Sequence, residues 1–180
     1  ISRTDSATVT AEDLRNGAGQ SPTLTSNKEA SESVAVAGAS GLFDVDFTVE
    51  FENSSSETLY AIQLVDDVQS TLGAGDWTVG TPQVLTAVQT DDAGTSTDIS
   101  GVITAQAGAA SWFNANIDLP GGDKVVVTYR VRITVGDDGD ANTPQAGPYI
   151  NTVTISGEDA LGDTVSTVSE EPVTIMLDSP

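Results

Sequence analysis

Residues Asp44–Val68 read DVDFTVEFENSSSETLYAIQLVDDV. Val45, Phe47, Val49 and Phe51 alternate without a break with Asp44, Asp46, Thr48, Glu50 and Glu52. Side chains of a strand alternate between two faces, so this is a half-buried β-strand with an acidic outer surface. Asn53-Ser54-Ser55-Ser56 is turn chemistry, and Tyr60, Ile62 and Leu64 alternate again, which predicts a hairpin or a strand–loop–strand.

Moving outward, Lys124–Val135 repeats the pattern at greater length. Val125, Val127, Tyr129, Val131, Ile133 and Val135 share one face; Val126, Thr128, Arg130, Arg132 and Thr134 share the other. Pro120-Gly121-Gly122-Asp123 supplies a tight turn before it. Strands are also expected over Thr23–Glu29, Ser33–Ala37, Trp77–Val79, Val84–Val88, Ile99–Ala105, Trp112–Leu119, Asn151–Ile155, Thr164–Val168 and Val173–Leu177. No stretch has a helical period with caps. Many short strands punctuated by Gly, Pro and Asp predict an all-β protein, an antiparallel sandwich. Residues 1–16 hold one further strand with Ala7, Val9 and Ala11 on one face, followed by the linker NGAGQSP. The expected organisation is an N-terminal strand and linker over 1–20 and a sandwich over 21–180. The chain starts at Ile1, so it reads as a processed or excised piece.

Composition narrows the function. The 180 residues carry 27 acidic and 6 basic side chains, a net charge of -21. Nucleic acid is an unsuitable partner, because the phosphate backbone needs cations. An anionic membrane surface is excluded likewise, and no run is apolar enough to insert into a bilayer. Without cysteine or histidine there is no disulfide, no thiolate or imidazole metal site and no Ser-His-Asp triad. The expectation is an extracellular, non-enzymatic β-protein.

The succession of TLTSNK, FTVEFENSSSETLYAIQLVDDV, GGDKVVVTYRVRITV and NTVTISGEDALGDTVSTV resembles the conserved-repeat surface domain, the eleventh catalogued domain of unknown function. The resemblance covers about residues 21–177. It implies an Ig-like β-sandwich strung along large bacterial or archaeal surface proteins, with adjacent repeats or copies of the chain itself as partners. It also implies that residues 1–16, which contain DSATVT, belong structurally to the preceding unit.

Four constellations carry candidate chemistry. Lys28 has the parity of Leu24, Asp66 that of Ile62 and Leu64, and Asn151 that of Val153 and Ile155, so all three are expected to point inward. A buried, uncharged amine beside a protonated acid and an amide is the reactant set for an intramolecular isopeptide bond. Asp137, Asp138, Asp140 and Asn142 offer oxygens at the spacing of a calcium loop, though Tyr149 stands where the distal Glu of an EF-hand would be. Calcium is therefore the candidate cofactor. Asp91, Asp92 and Asp98 form a second acidic group. Asn53-Ser54-Ser55 is a glycosylation triplet, and Trp77 and Trp112 are candidates for a sugar-stacking platform. Arg130 and Arg132 are expected to pair with carboxylates such as Asp46 and Glu50 if the two long strands are neighbours.

The function expected from sequence is a structural subunit of a surface stalk or filament. It would assemble head-to-tail by β-strand complementation through Ala7, Val9 and Ala11. The alternative is a calcium-dependent adhesin or carbohydrate-binding module.

Overall fold

The computed structural model describes residues 22–72, 77–135 and 149–173. In chain order the strands are β1 (Leu24–Ala30), β2 (Val34–Ala35), β3 (Leu42–Asn53), β4 (Tyr60–Asp66), β5 (Trp77–Val79), β6 (Gln83–Thr90), β7 (Ser96–Asp98), β8 (Lys124–Val135), β9 (Tyr149–Glu158) and β10 (Thr164–Val173). A single short α-helix, α1 (Val68–Leu72), occurs among the described residues, and no helix there is long and apolar enough to cross a membrane. The larger sheet has the order β1-β3-β8-β6-β7, with β2 prolonging β1 along β3 and β5 pairing with β8 beyond β6. The smaller sheet has the order β10-β9-β4. All pairings are antiparallel. The chain is an antiparallel β-sandwich.

Its centre is the β3–β8 pair. Val45 faces Val131, Phe47 faces Tyr129, Val49 faces Val127 and Phe51 faces Val125. All eight are buried. Each apolar side chain taken wholly out of water contributes about 1.5–3 kcal/mol, so this ladder is a large share of the driving force. On the outer face, Arg130 holds Asp46 and Arg132 holds Asp44, each through two guanidinium nitrogens, at 2.6–2.8 Å and 2.8–2.9 Å. Lys124 lies 3.5 Å from Glu50. The expected cross-strand ion pairs are therefore present and fix the register of the two long strands.

Several expectations change. Strands β3 and β4 lie in different sheets, so the Asn53–Ser56 turn is a crossing between layers and not a hairpin. Asn53 is buried: its Nδ2 donates to the carbonyls of Glu57 (2.7 Å) and Leu119 (2.8 Å), and its Oδ1 accepts from the Ser55 N–H and hydroxyl. An amide with both N–H groups committed in the interior is not presented for glycosylation in the folded domain; it pins the crossing. Tyr60 is exposed, because Ala61 takes a positive φ of 50° and the β4–β9 register shifts between Tyr60 and Gln63. Opposite this irregularity stands Gly157, where a Cβ would come within 2.6 Å of Ile62 Cδ1.

Residues 99–119 do not form the two expected strands. A 3-10 turn occupies Ser100–Val102, and Trp112 and Phe113 are both buried, which alternation forbids. This stretch instead covers the edge of β4. Leu59 and Leu119 exchange backbone hydrogen bonds, the Ile62 N–H donates to Ile117 and the Trp112 N–H to Leu64. An irregular segment thus satisfies backbone groups that a bare edge would expose. At the opposite edge, β1 meets β10, where the Ser26 and Thr167 hydroxyls are 3.2 Å apart and Ser169 Oγ donates to the Ser26 carbonyl. Of the strand expected over Ser33–Ala37, only the short β2 forms, and Val34 on it is exposed.

Asn53→Ala should leave the Leu119 and Glu57 carbonyls and the Ser55 N–H without their side-chain partner. A loss of about 1–3 kcal/mol is expected, read as a lower midpoint in urea unfolding; an unchanged midpoint would mean that Asn53 does not pin the crossing.

Candidate functional site

The face of β1 that carries Leu24 also carries Lys28, and Lys28 stands opposite Val49 of the central ladder. Its side chain points inward, and the residue is only 2% exposed. The amine lies over the Phe47 ring, 5.1 Å from the centroid, and 6.0 Å from that of Tyr129. Tyr129 stacks on Phe47 and meets Trp112 edge-on at 4.6 Å. This aromatic wall supplies π-faces to a cation.

The acceptor comes from the other sheet. Asp66, the last residue of β4, is wholly buried, and Lys28 Nζ donates to its Oδ2 at 2.5 Å. The Tyr129 hydroxyl donates to the same oxygen. Asn151 of β9 completes the group, also wholly buried. On the smaller sheet β9 is the middle strand. Asn151 is paired directly with Glu171 of β10, and Asp66 of β4 is paired with Val153, the next inward residue after Asn151. The three residues singled out from sequence, Lys28, Asp66 and Asn151, are thus gathered in one sealed centre between the sheets.

Its electrostatics are unusual. Burial pushes the Lys28 amine below its ordinary value, while the charges of Asp66 and, more weakly, Glu171 pull it back up. Burial, then the adjacent Asp66, pushes the Tyr129 phenol well above the ordinary 10.0; Asn151 lies close enough to pull the other way, yet completes no hydrogen bond. Asp66 Oδ1 and both amide atoms of Asn151 are buried without a partner. An amine held toward neutrality, a carboxyl on it and an unengaged amide have no access to bulk water, so they can act only on one another.

Tyr129 was read from sequence only as one inward residue of β8. A phenol in a run of inward valines is itself a signal, because a buried hydroxyl requires a partner. Other candidates fare differently. Trp112 is a core residue and cannot stack on a sugar. Asp91 accepts the Thr95 N–H and Asp98 the Ser100 N–H, which holds the Asp98 carboxyl below its ordinary value. Among the described residues no acidic group is gathered as a metal site. The calcium-loop residues Asp137, Asp138, Asp140 and Asn142 lie outside the described residues, as do Ala7, Val9 and Ala11. A surface groove of about 380 Å³ runs beside Gly80, Thr81, Arg130 and Arg132, but both guanidiniums there are already held by Asp46 and Asp44.

No family model matches the chain, and no curated protein matches it. Among solved structures, the ApaA protein of Bordetella pertussis is similar at 13% identity and a TM-score of 0.42, over 86% of this chain and 94% of that one. The major pilin subunit BcpA of Bacillus cereus is similar at 13% identity and a TM-score of 0.42, over 85% of this chain and 40% of that one. The collagen-binding subdomain of the Enterococcus faecalis surface protein ACE is similar at 11% identity and a TM-score of 0.37, over 84% and 97%.

Tyr129 ionises more readily in the unfolded chain, where its phenol has the ordinary value. The stability it contributes is therefore complete below about pH 10 and falls as the pH rises above it. In an alkaline absorbance titration against Tyr129→Phe, the Tyr129 phenolate should appear only together with loss of the β-sheet circular dichroism. Its appearance with the sheets intact would contradict this placement.

Proposed function

We propose that this chain is a non-enzymatic structural unit of an extracellular, cell-surface stalk or filament. The observation that carries the reading is the sealed centre. Lys28 and Tyr129 belong to the larger sheet, Asp66 and Asn151 to the smaller one, and the group is closed to any outside substrate. Such a centre ties two layers together; it does not process a ligand. A sandwich clamped across its layers suits a unit that must hold its shape between neighbours. The absence of cysteine fits a clamp of another chemistry. The acidic outer face, with its cations already paired, suits a soluble repeat rather than one bound to nucleic acid or an anionic membrane.

For assembly, we favour strand complementation: residues 1–16 add to a sheet of the neighbouring unit, with Ala7, Val9 and Ala11 setting the register. Copies of the chain, or adjacent repeats of the conserved-repeat class that the sequence resembles, are then the partners. A head-to-tail contact of this kind propagates as an open filament. Negative-stain electron microscopy of the chain beside a version lacking residues 1–16 tests it. Thin filaments from the first and dispersed particles from the second are expected. Dispersed particles from both would remove strand donation.

A further inference from the structure

The geometry points to a covalent clamp: an amide bond between Lys28 Nζ and Asn151 Cγ, formed by the folded domain on itself with Asp66 as the catalytic residue. This deepens the structural reading above by naming the chemistry of the same centre.

Two observations place the reactants. Asn151 sits on the middle strand of its sheet, paired with Glu171 on one side and one inward position from Val153, the partner of Asp66, on the other; both of those carboxyl groups bear on the Lys28 amine. The Tyr129 hydroxyl, which donates to Asp66, also feels the Asn151 amide. The amine and the amide are thereby confined to one water-free site. The second observation is polar bookkeeping. Among the described residues five buried side-chain atoms have no partner, and three of them are Asp66 Oδ1 and the two amide atoms of Asn151. A core does not leave a carboxyl oxygen and a whole amide unused beside an amine without a reason.

The reaction balances without a co-reactant. Moving one proton along the 2.5 Å contact converts the ion pair into a neutral amine and a carboxylic acid. Burial favours that neutral pair. The Nζ lone pair attacks Asn151 Cγ while the Asp66 acid polarises the carbonyl oxygen, giving a tetrahedral intermediate. Asp66 then relays a proton from Nζ to the amide nitrogen. The Cγ–Nδ2 bond breaks, ammonia leaves, and Asp66 keeps the proton that the first transfer gave it, ending as the neutral acid. One C–N bond forms, one breaks, and nothing is oxidised or reduced. Fixing both reactants on facing strands makes the step intramolecular, which is where such positioning contributes most. The Phe47, Tyr129 and Trp112 rings exclude the water that would protonate the amine.

Intact mass spectrometry of the folded full-length chain tests the bond. The expected mass is that of the sequence less one ammonia. A tryptic map should lose cleavage after Lys28 and yield segment 16–124 joined to segment 133–180. The full sequence mass in a chain with intact β-sheet circular dichroism would overturn the proposal. So would an ammonia loss with Lys28 free and Asn151 converted to a hydroxylamine-sensitive succinimide. Asp66→Asn, close in shape, should restore the full mass; a cross-link formed in that variant would overturn the role of Asp66. The wild-type mass decides the bond even if that variant does not fold. Filaments without ammonia loss would remove the bond and leave the structural reading; ammonia loss in dispersed particles would do the reverse for filament assembly.

Discussion

A lysine amine cannot sit in a protein core as an isolated cation. Its desolvation costs several kcal/mol even after relaxation, so it must lose its proton or gain an acid. Lys28 has that acid in Asp66, and the need for it organises the interior. The amine hangs from the larger sheet and the carboxyl from the smaller one. The contact therefore requires the two layers to hold one relative placement. A one-residue slip of β1 against β3 would turn Lys28 outward and leave Asp66 buried without its cation. The apolar ladder of β3 and β8 would tolerate many small shifts; the polar centre tolerates none. Hydrophobic burial makes the sandwich, and the Lys28–Asp66 contact selects one form of it.

The same requirement explains the neighbours of the contact. Phe47 and Tyr129 give the amine flat aromatic surfaces, and the Tyr129 hydroxyl gives Asp66 a donor. Trp112 closes the wall although it belongs to an irregular segment. That segment, residues 103–119, is held by backbone hydrogen bonds to β4, the strand that ends at Asp66. Edge cover and polar centre are thus one construction. The crossing from β3 to β4, pinned by Asn53 to the Leu119 carbonyl, brings the chain into that strand.

How much of this was legible in the sequence follows from what each feature depends on. The faces of β3 and β8 could be read because alternation is a local property of strands, and the Arg130–Asp46 pair followed once the two were neighbours. Parity alone pointed Lys28, Asp66 and Asn151 inward. Their convergence on one centre depends on sheet order, which parity does not contain. The β3–β4 stretch reads equally as a hairpin or a strand–loop–strand because a change of sheet leaves no mark in the turn residues. The inward phase at Tyr60 failed because a positive φ at Ala61 displaces the alternation by a bulge, and alanine gives no warning of that conformation. The strand expected over Trp112–Leu119 does not form, and Trp112 and Phe113 are both buried, because the segment has no ladder of its own to impose a period of two. Asn53 combined a sequence triplet with turn residues, and only the approach of Leu119 shows that its amide is used internally.

The division of charge between core and surface completes the account. With a net charge of -21, the compact state must absorb considerable self-repulsion. Each cation among the described residues is committed against it: Lys124 to Glu50, Arg130 to Asp46, Arg132 to Asp44 and Lys28 to Asp66. The first three pairs are partly exposed and are screened over about 8–10 Å at moderate salt. Salt that weakens them also relaxes the repulsion between the unpaired carboxylates, so the two effects offset one another. The Lys28 contact lies in the interior, where mobile ions do not reach. Of the described ionic contacts, it is therefore the one that salt does not screen, and it joins the two sheets. In a chain with two lysines and 27 acidic residues, placing one of those lysines in the core gives up a surface cation that would have reduced the repulsion. That placement is understandable only if the tie between the layers contributes more than a surface pair would.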